Sequence, residues 1–238
     1  MLWKWYDATV TAIEQLTPTT RRFCLAVNEV EIFDFKAGQF VTFDLPISQK
    51  RLQRWRSYSI ASAPVGNNAF ELCIARLENG AGTRYFFEEV VVGTIVRFKG
   101  ADGGFVLPQH IDTDLILVCT GTGIAPFRAM IHDIFSKKIP HKKIHLIFGT
   151  RFAPDILYLS EWRELAEKHP EFSFSAALSR EELAPFHHGY VHRIYTPELK
   201  NEGTTYFLCG WQAMIDEARK RLNEANIPDT QVHYELYG

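Results

Sequence analysis

Two rhythms of apolar and polar positions divide this chain. Short segments rich in Val, Ile, Thr, Phe and Tyr recur at 6–14, 20–27, 39–44, 57–62, 69–76 and 94–98. Turn residues separate them: Thr17-Pro18, Lys36-Ala37-Gly38, the stretch 64–68, and Lys99-Gly100. Closely spaced short strands of this kind predict an antiparallel barrel or sandwich. One segment departs from the two-residue period. After Gly80-Ala81-Gly82-Thr83 the run RYFFEEVV places apolar residues at helical spacing, with Thr83 as the expected N-cap.

The second rhythm alternates strand and helix. A continuous apolar strand at 115–119 leads through a glycine-rich turn into a helix over 126–135. Further strands are predicted at 144–148, 172–177, 206–209 and 232–236, with helices at 158–168 and 212–223. Such alternation predicts a doubly wound parallel α/β sheet with helices on both faces. Polar residues interrupt both rhythms at 108–113, so the expected domains are 1–110 and 111–238. No internal repeat or low-complexity tract is present.

Composition narrows the function classes. The 238 residues are 46% hydrophobic and carry a net charge of −2, enough apolar material for two cores. Residues 1–110 hold 12 basic and 11 acidic side chains, and the rest 14 and 17, so nucleic acid is not expected as the main partner. Cys24, Cys73, Cys119 and Cys209 are far apart, which excludes a local zinc knuckle or a cysteine-ligated cluster and points to a reducing compartment. The start, MLWKWYDATV, has no signal-peptide pattern, and no apolar run approaches the roughly 20 residues of a membrane helix. A soluble, cytoplasmic protein that does not engage membranes is expected.

Candidate chemistry begins at CTGTGIAP. Thr120, Gly121, Thr122 and Gly123 follow a buried strand, and Pro126 opens a helix. Glycines let backbone approach a ligand, and a helix start offers free N–H groups to a pyrophosphate. The pattern is G-x-G-x-x-P rather than the dinucleotide fingerprint, and a tight strand–helix turn explains it nearly as well. Arg151 ends the next strand where an NAD site usually has an acidic residue, and Ser179 and Arg180 end the third. Two Arg and a Ser there suit a 2′-phosphate, although solvated loop arginines are the commoner case. His187, His188 and His192 cluster without a carboxylate or cysteine to complete a ligand set, so no metal is expected. Lys50, Arg51, Arg54 and Arg56 form a basic run that is either a solvated face or a steering surface for an acidic partner.

Arg56-Ser57-Tyr58-Ser59, the later CTGTGIAP and the CGWQAM segment occur in the order and spacing of the ferredoxin–NADP reductase superfamily. The resemblance covers essentially the whole chain and implies a Greek-key flavin-binding barrel followed by a nucleotide-binding domain. It implies that Arg56 binds the flavin phosphates, Tyr58 packs on the isoalloxazine, and Ser59 hydrogen-bonds near N5. Alternation along the strand places Arg56 and Tyr58 on one face.

Cys73-Ile74-Ala75-Arg76 followed by Gly80, Gly82 and Thr83 resembles the family's second flavin stretch, with Thr83 where Ser is common. Arg76 is either a flavin contact or a solvated strand end. The GGFVL segment resembles a structural turn at the barrel exit. Cys209-Gly210 resembles the pair beside the nicotinamide. The HYELYG ending resembles the family's terminal segment, which implies Glu235 near the nicotinamide and Tyr237 over the flavin, with Gly238 following. Arg151, Ser179 and Arg180 match positions that NADP-selective members use, and Tyr190 matches an aromatic that stacks on adenine.

The resemblance thus implies an FAD-dependent enzyme that takes hydride from NADPH, with NADH possible. Electrons then pass singly to a separate ferredoxin or flavodoxin, and the enzyme is expected to be a monomer. Alternatives are an oxygenase reductase component, a reductase of diffusible flavin, and a flavin-binding sensor without turnover.

Overall fold

The structure, a computed structural model, describes residues 4–199 and 202–237. Gly238 lies outside them. Two compact units emerge: one runs up to Leu107 and includes Ala125–Lys137; the other comprises Pro108–Ile124 and the chain from Lys138.

The first unit holds β1 (Trp5–Thr17), β2 (Thr20–Val27), β3 (Phe40–Asp44), β4 (Trp55–Ser59), β5 (Ala69–Ala75) and β6 (Ile95–Asp102). They form one antiparallel sheet in the order β4-β3-β6-β1-β2-β5. Ile60 bridges Leu72 between the two edge strands, so the sheet closes on itself and removes its open edges. Around that closure β3, β4 and β5 follow in sequence and β6 returns beside β3, which is Greek-key order.

The interior is aromatic. Phe23, Phe43, Phe70 and Phe98 are fully buried. The helix α2 (Ala81–Glu88), which follows the short α1 (Arg51–Arg54), drives Phe86 among them, 5.2 Å from the Phe23 ring and 5.5 Å from Phe43. The helical spacing in RYFFEEVV thus supplies the plug of the barrel.

The second unit holds β7 (Asp114–Thr120), β8 (Ile144–Thr150), β9 (Phe172–Leu178), β10 (His187–His188), β11 (Thr204–Trp211) and β12 (Val232–Tyr237). All pair in parallel, in the order β10-β9-β8-β7-β11-β12. The chain moves outward from β7 to β10 and then returns to β11 on the other side of β7. Its direction therefore reverses between β7 and β11, and a doubly wound sheet binds ligands at such a reversal, beyond the carboxyl ends of the strands.

Three helices follow: α3 (Ile124–Lys137), α4 (Leu159–Lys168) and the four-residue α5 (His192–Tyr195). The last helix is α6 (Gln212–Glu224). Met214, Ile215, Ala218 and Leu222 of α6 pack with Val118, Ile147 and Leu208 on one face of the sheet. Trp162 of α4 covers the other face, against Phe172 and Phe174. Helices on both faces match the expected architecture.

Boundaries differ in three instructive places. Thr83 is not the N-cap of α2: the cap is Gly80, with no side-chain hydrogen bond. The Thr83 hydroxyl instead reaches back, accepting from the Leu77 amide at 3.1 Å and donating to the Gly80 carbonyl at 3.0 Å. Lys99-Gly100 is not a turn. β6 continues through it, with Gly100 at φ +131 where the pairing to β3 shifts register. The strand β10 has only two residues and no periodicity to announce it.

Candidate functional site

In the barrel unit Arg56, Tyr58 and Gly82 meet at the start of α2. Arg56 and Tyr58 stand on the inner face of β4, opposite Phe43 and Val41. Tyr58 packs its ring 5.3 Å from Phe86, and burial pushes its hydroxyl well above the usual tyrosine range, so it stays protonated. Gly82, in the first turn of α2, faces both residues. A Cβ on it would fall 2.8 Å from Arg56 Cγ and 3.1 Å from the Tyr58 hydroxyl. A guanidinium, a neutral phenol and a helix start left bare by glycine form a cradle suited to a phosphate attached to an aromatic group.

Ser59 is buried at the end of β4. Cys73 and Ile74 turn their side chains into the protein, so they offer a ligand backbone rather than side chain. Arg76 is exposed and its guanidinium pairs with Glu88 at 2.6 Å. Its strand-end position is thus braced against the far end of α2. The basic run is partly committed as well: Arg54 grips Asp44, and Arg51 lies over the Trp55 ring at 4.6 Å.

In the second unit, the two glycine-bearing strand ends lie side by side at the reversal between β7 and β11. A Cβ on Gly123 would fall 2.3 Å from the Cys209 carbonyl oxygen, and one on Gly210 would fall 2.3 Å from Thr120 Oγ1. Gly121 has φ +54, a conformation that favours glycine. The Trp211 amide donates to Thr120 Oγ1 at 3.3 Å, and the exposed Trp211 ring was not singled out from sequence. Thr120 ends β7, and Gly121, Thr122 and Gly123 form a one-turn helix running into α3, with Pro126 in its opening turn.

Cys209 is fully buried, and burial, with Glu235 and Cys119 nearby, pushes its thiol far up. The Tyr237 side chain hydrogen-bonds it, and pairing of β11 with β12 sets Glu235 opposite Cys209 and Tyr237 opposite Trp211. A neutral, enclosed thiol is a poor nucleophile.

The residues proposed for a 2′-phosphate also meet. The Ser179 amide donates to the Thr150 carbonyl at 2.9 Å, and the Arg180 amide to the Arg151 carbonyl at 3.1 Å. This backbone ladder extends β8 and β9 past their ends and sets Arg151 and Arg180 abreast, both exposed. The Gly189 amide donates to the Leu178 carbonyl at 2.8 Å, bringing the exposed Tyr190 to the same border. Two guanidinium groups, a hydroxyl and an aromatic ring there can take an adenosine carrying a phosphate. The histidine cluster disperses: His187 and His188 lie on β10, while His192 is buried and bonds Tyr195 at 2.8 Å. Among the described residues no helix is long and apolar enough to cross a membrane.

Comparison with known proteins agrees with this geometry. Residues 7–107 match the oxidoreductase FAD-binding domain family, and residues 117–220 the oxidoreductase NAD-binding domain family. The chain is 31% identical to ferredoxin–NADP reductase B of Sorangium cellulosum, over 98% of this chain and 97% of that protein. It is 27% identical to the phenol hydroxylase P5 protein of Acinetobacter pittii, covering 98% of this chain but 65% of that longer protein. Among solved structures, a cytochrome P450 reductase from Amycolatopsis superposes with a TM-score of 0.89 at 27% identity, covering 98% of this chain and 69% of that one. The chain therefore belongs to the ferredoxin–NADP reductase superfamily and is an NAD(P)H-dependent flavoprotein reductase.

Proposed function

We propose that this protein works in the cytoplasm as a monomeric FAD enzyme. It oxidises NADPH and delivers electrons singly to a separate ferredoxin or flavodoxin. The observation that carries the reading is the cradle at Gly82, where Arg56 and Tyr58 crowd a bare helix start. The likeness along the full length of the Sorangium reductase supports it.

Bound FAD supplies the conversion of a two-electron hydride into two single electrons. The chain does the holding. Residues 1–110 take FAD and 111–238 take the pyridine nucleotide. Arg56 and the backbone of Gly80, Gly82 and Thr83 bind the flavin phosphates, and the Cys73–Arg76 strand supports them. Tyr58, kept neutral by burial, packs on the ring, and Ser59 presents its hydroxyl at the hydride-accepting atom.

The turn from Thr120 to Gly123, with Pro126, holds the nucleotide pyrophosphate. Arg151, Ser179 and Arg180 take the 2′-phosphate and Tyr190 the adenine, which favours NADPH over NADH. Cys209 and Gly210 bound the nicotinamide place, where the neutral thiol excludes water without reacting. Glu235 and Tyr237 complete that place.

A second reading, a reductase component for an oxygenase, is favoured by one observation: the likeness to the phenol hydroxylase P5 protein spans 98% of this chain. Mixing the NADPH-reduced protein with ferredoxin, flavodoxin or free flavin separates the two. Reoxidation by ferredoxin or flavodoxin at least tenfold faster than by free flavin is expected. Equal or slower reoxidation by both carriers would sink the first reading and leave the second.

A further inference from the structure

Ser59 ends β4, and the next three residues cross the seam that closes the barrel. Each is tied down. The Ile60 amide donates to the Gln39 carbonyl at 2.9 Å, and the Ala61 amide to the Glu71 carbonyl at 2.8 Å. The Ser62 hydroxyl accepts from the Glu71 amide at 3.0 Å. The carbonyl of Ala61 is claimed by a side chain remote in sequence: Arg128 Nη1 donates to it at 2.8 Å. The same nitrogen donates to Glu71 Oε2 at 2.7 Å.

Arg128 is only 8% exposed. A guanidinium so enclosed is tolerated when a carboxylate and a carbonyl take up its protons. Glu71 in turn is flanked by Arg22, 3.8 Å away, so its carboxylate is held between two cations. Arg128 belongs to α3, the helix that begins directly after the Gly121–Gly123 turn. Around it Phe127 packs 5.8 Å from Phe105, and Met130 reaches Gly38, where a Cβ would fall 2.5 Å from its methyl carbon. This stretch of α3 is therefore part of the barrel unit and packed against it.

We propose that Arg128 is a positioning residue for hydride transfer: by holding the Ala61 carbonyl, it fixes the segment that presents Ser59 to the flavin. The proposal rests on Ser59 acting at the flavin, as stated above. Three bonds to its backbone and one to the Ser62 hydroxyl hold the segment, and the bond from Arg128 comes from outside the sheet. Its loss frees the peptide two residues beyond Ser59, and displacements of about 1 Å near a reacting atom cost up to roughly 100-fold in rate.

The test compares Arg128→Lys with the double variant Arg128→Met/Glu71→Leu. The first keeps the charge but loses the planar donor. The second removes both charges with similar volume, which spares the fold an unpaired buried carboxylate. Anaerobic single-turnover reduction of bound FAD by NADPH is measured over a range of NADPH concentrations.

Expected is a limiting rate lowered at least tenfold in both variants, with the NADPH dissociation constant within twofold of wild type and one FAD retained per chain. A limiting rate within twofold of wild type in either FAD-loaded variant would overturn the proposal. So would a loss expressed wholly in the dissociation constant. Failure of wild type itself to be reduced would instead overturn the functional reading.

Discussion

Gly82 sits against Arg56 so closely that a Cβ there would lie 2.8 Å from Arg56 Cγ. The contact is to the root of the side chain rather than its flexible tip, so the guanidinium cannot keep its place beside an alanine. Arg56 and Gly82 are separated by the whole of β5 in sequence, and the barrel brings them together.

Gly82→Ala should therefore divide stability from binding. Alanine is favoured over glycine within a helix by about 1 kcal/mol, but the contact with Arg56 offsets that gain, so the thermal midpoint of the flavin-free protein should change little. FAD affinity should fall by roughly 10- to 100-fold, the loss of one charge-assisted hydrogen bond. Calorimetry and flavin fluorescence titration check the two halves, and unchanged FAD affinity would remove Gly82 from the site.

Arg180→Ala should raise the KM for NADPH by roughly 10- to 100-fold, because a guanidinium–phosphate bond contributes about 1.5–3 kcal/mol. The KM for NADH should change less than threefold. Steady-state assays with both nucleotides decide it, and equal effects would strip Arg180 of a 2′-phosphate role. Added salt should weaken NADPH binding more than NADH binding, since the site is exposed.

His192 gives the fold a pH dependence of predictable sign. Burial is the first cause that lowers its pKa below the free value of 6.5, and Arg221 adds to it while Glu217 opposes. The unfolded chain therefore takes up a proton that the folded chain resists. Stability should be intact above pH 6.5 and fall as pH drops from there towards the lower folded value. Urea unfolding between pH 7.5 and pH 5 should show this slope, and His192→Gln should flatten it. An equal slope in the variant would place the effect elsewhere.

Much of this molecule was readable from its residues. β2 and β5 match their expected spans closely: apolar and polar positions alternate along β2, and the turn at 64–68 precedes β5. The parallel sheet with helices on both faces followed from alternation, whereas the reversal between β7 and β11 is visible only in the strand pairing. What escaped was set by tertiary contact. Lys99-Gly100 looks like a turn but continues β6 through a register shift, which only the pairing with β3 reveals. Thr83 looks like a cap because capping residues favour hydroxyls, yet its hydroxyl serves the loop from Leu77 to Gly80. His187-His188 has no pattern and pairs with β9 only because the chain passes its edge. Arg128 follows a recognised motif by two residues, but a lone arginine on a helix reads as solvated. Its burial against Glu71 and Ala61 depends on which way the helix faces.

Bound FAD in this protein should accept hydride from NADPH. Anaerobic stopped-flow absorbance of the FAD-loaded protein tests this. Mixing with NADPH should bleach the flavin band within seconds, faster than an equal concentration of NADH does. No bleaching by either nucleotide would contradict the account, and faster bleaching by NADH would contradict its assignment of Arg151, Ser179 and Arg180.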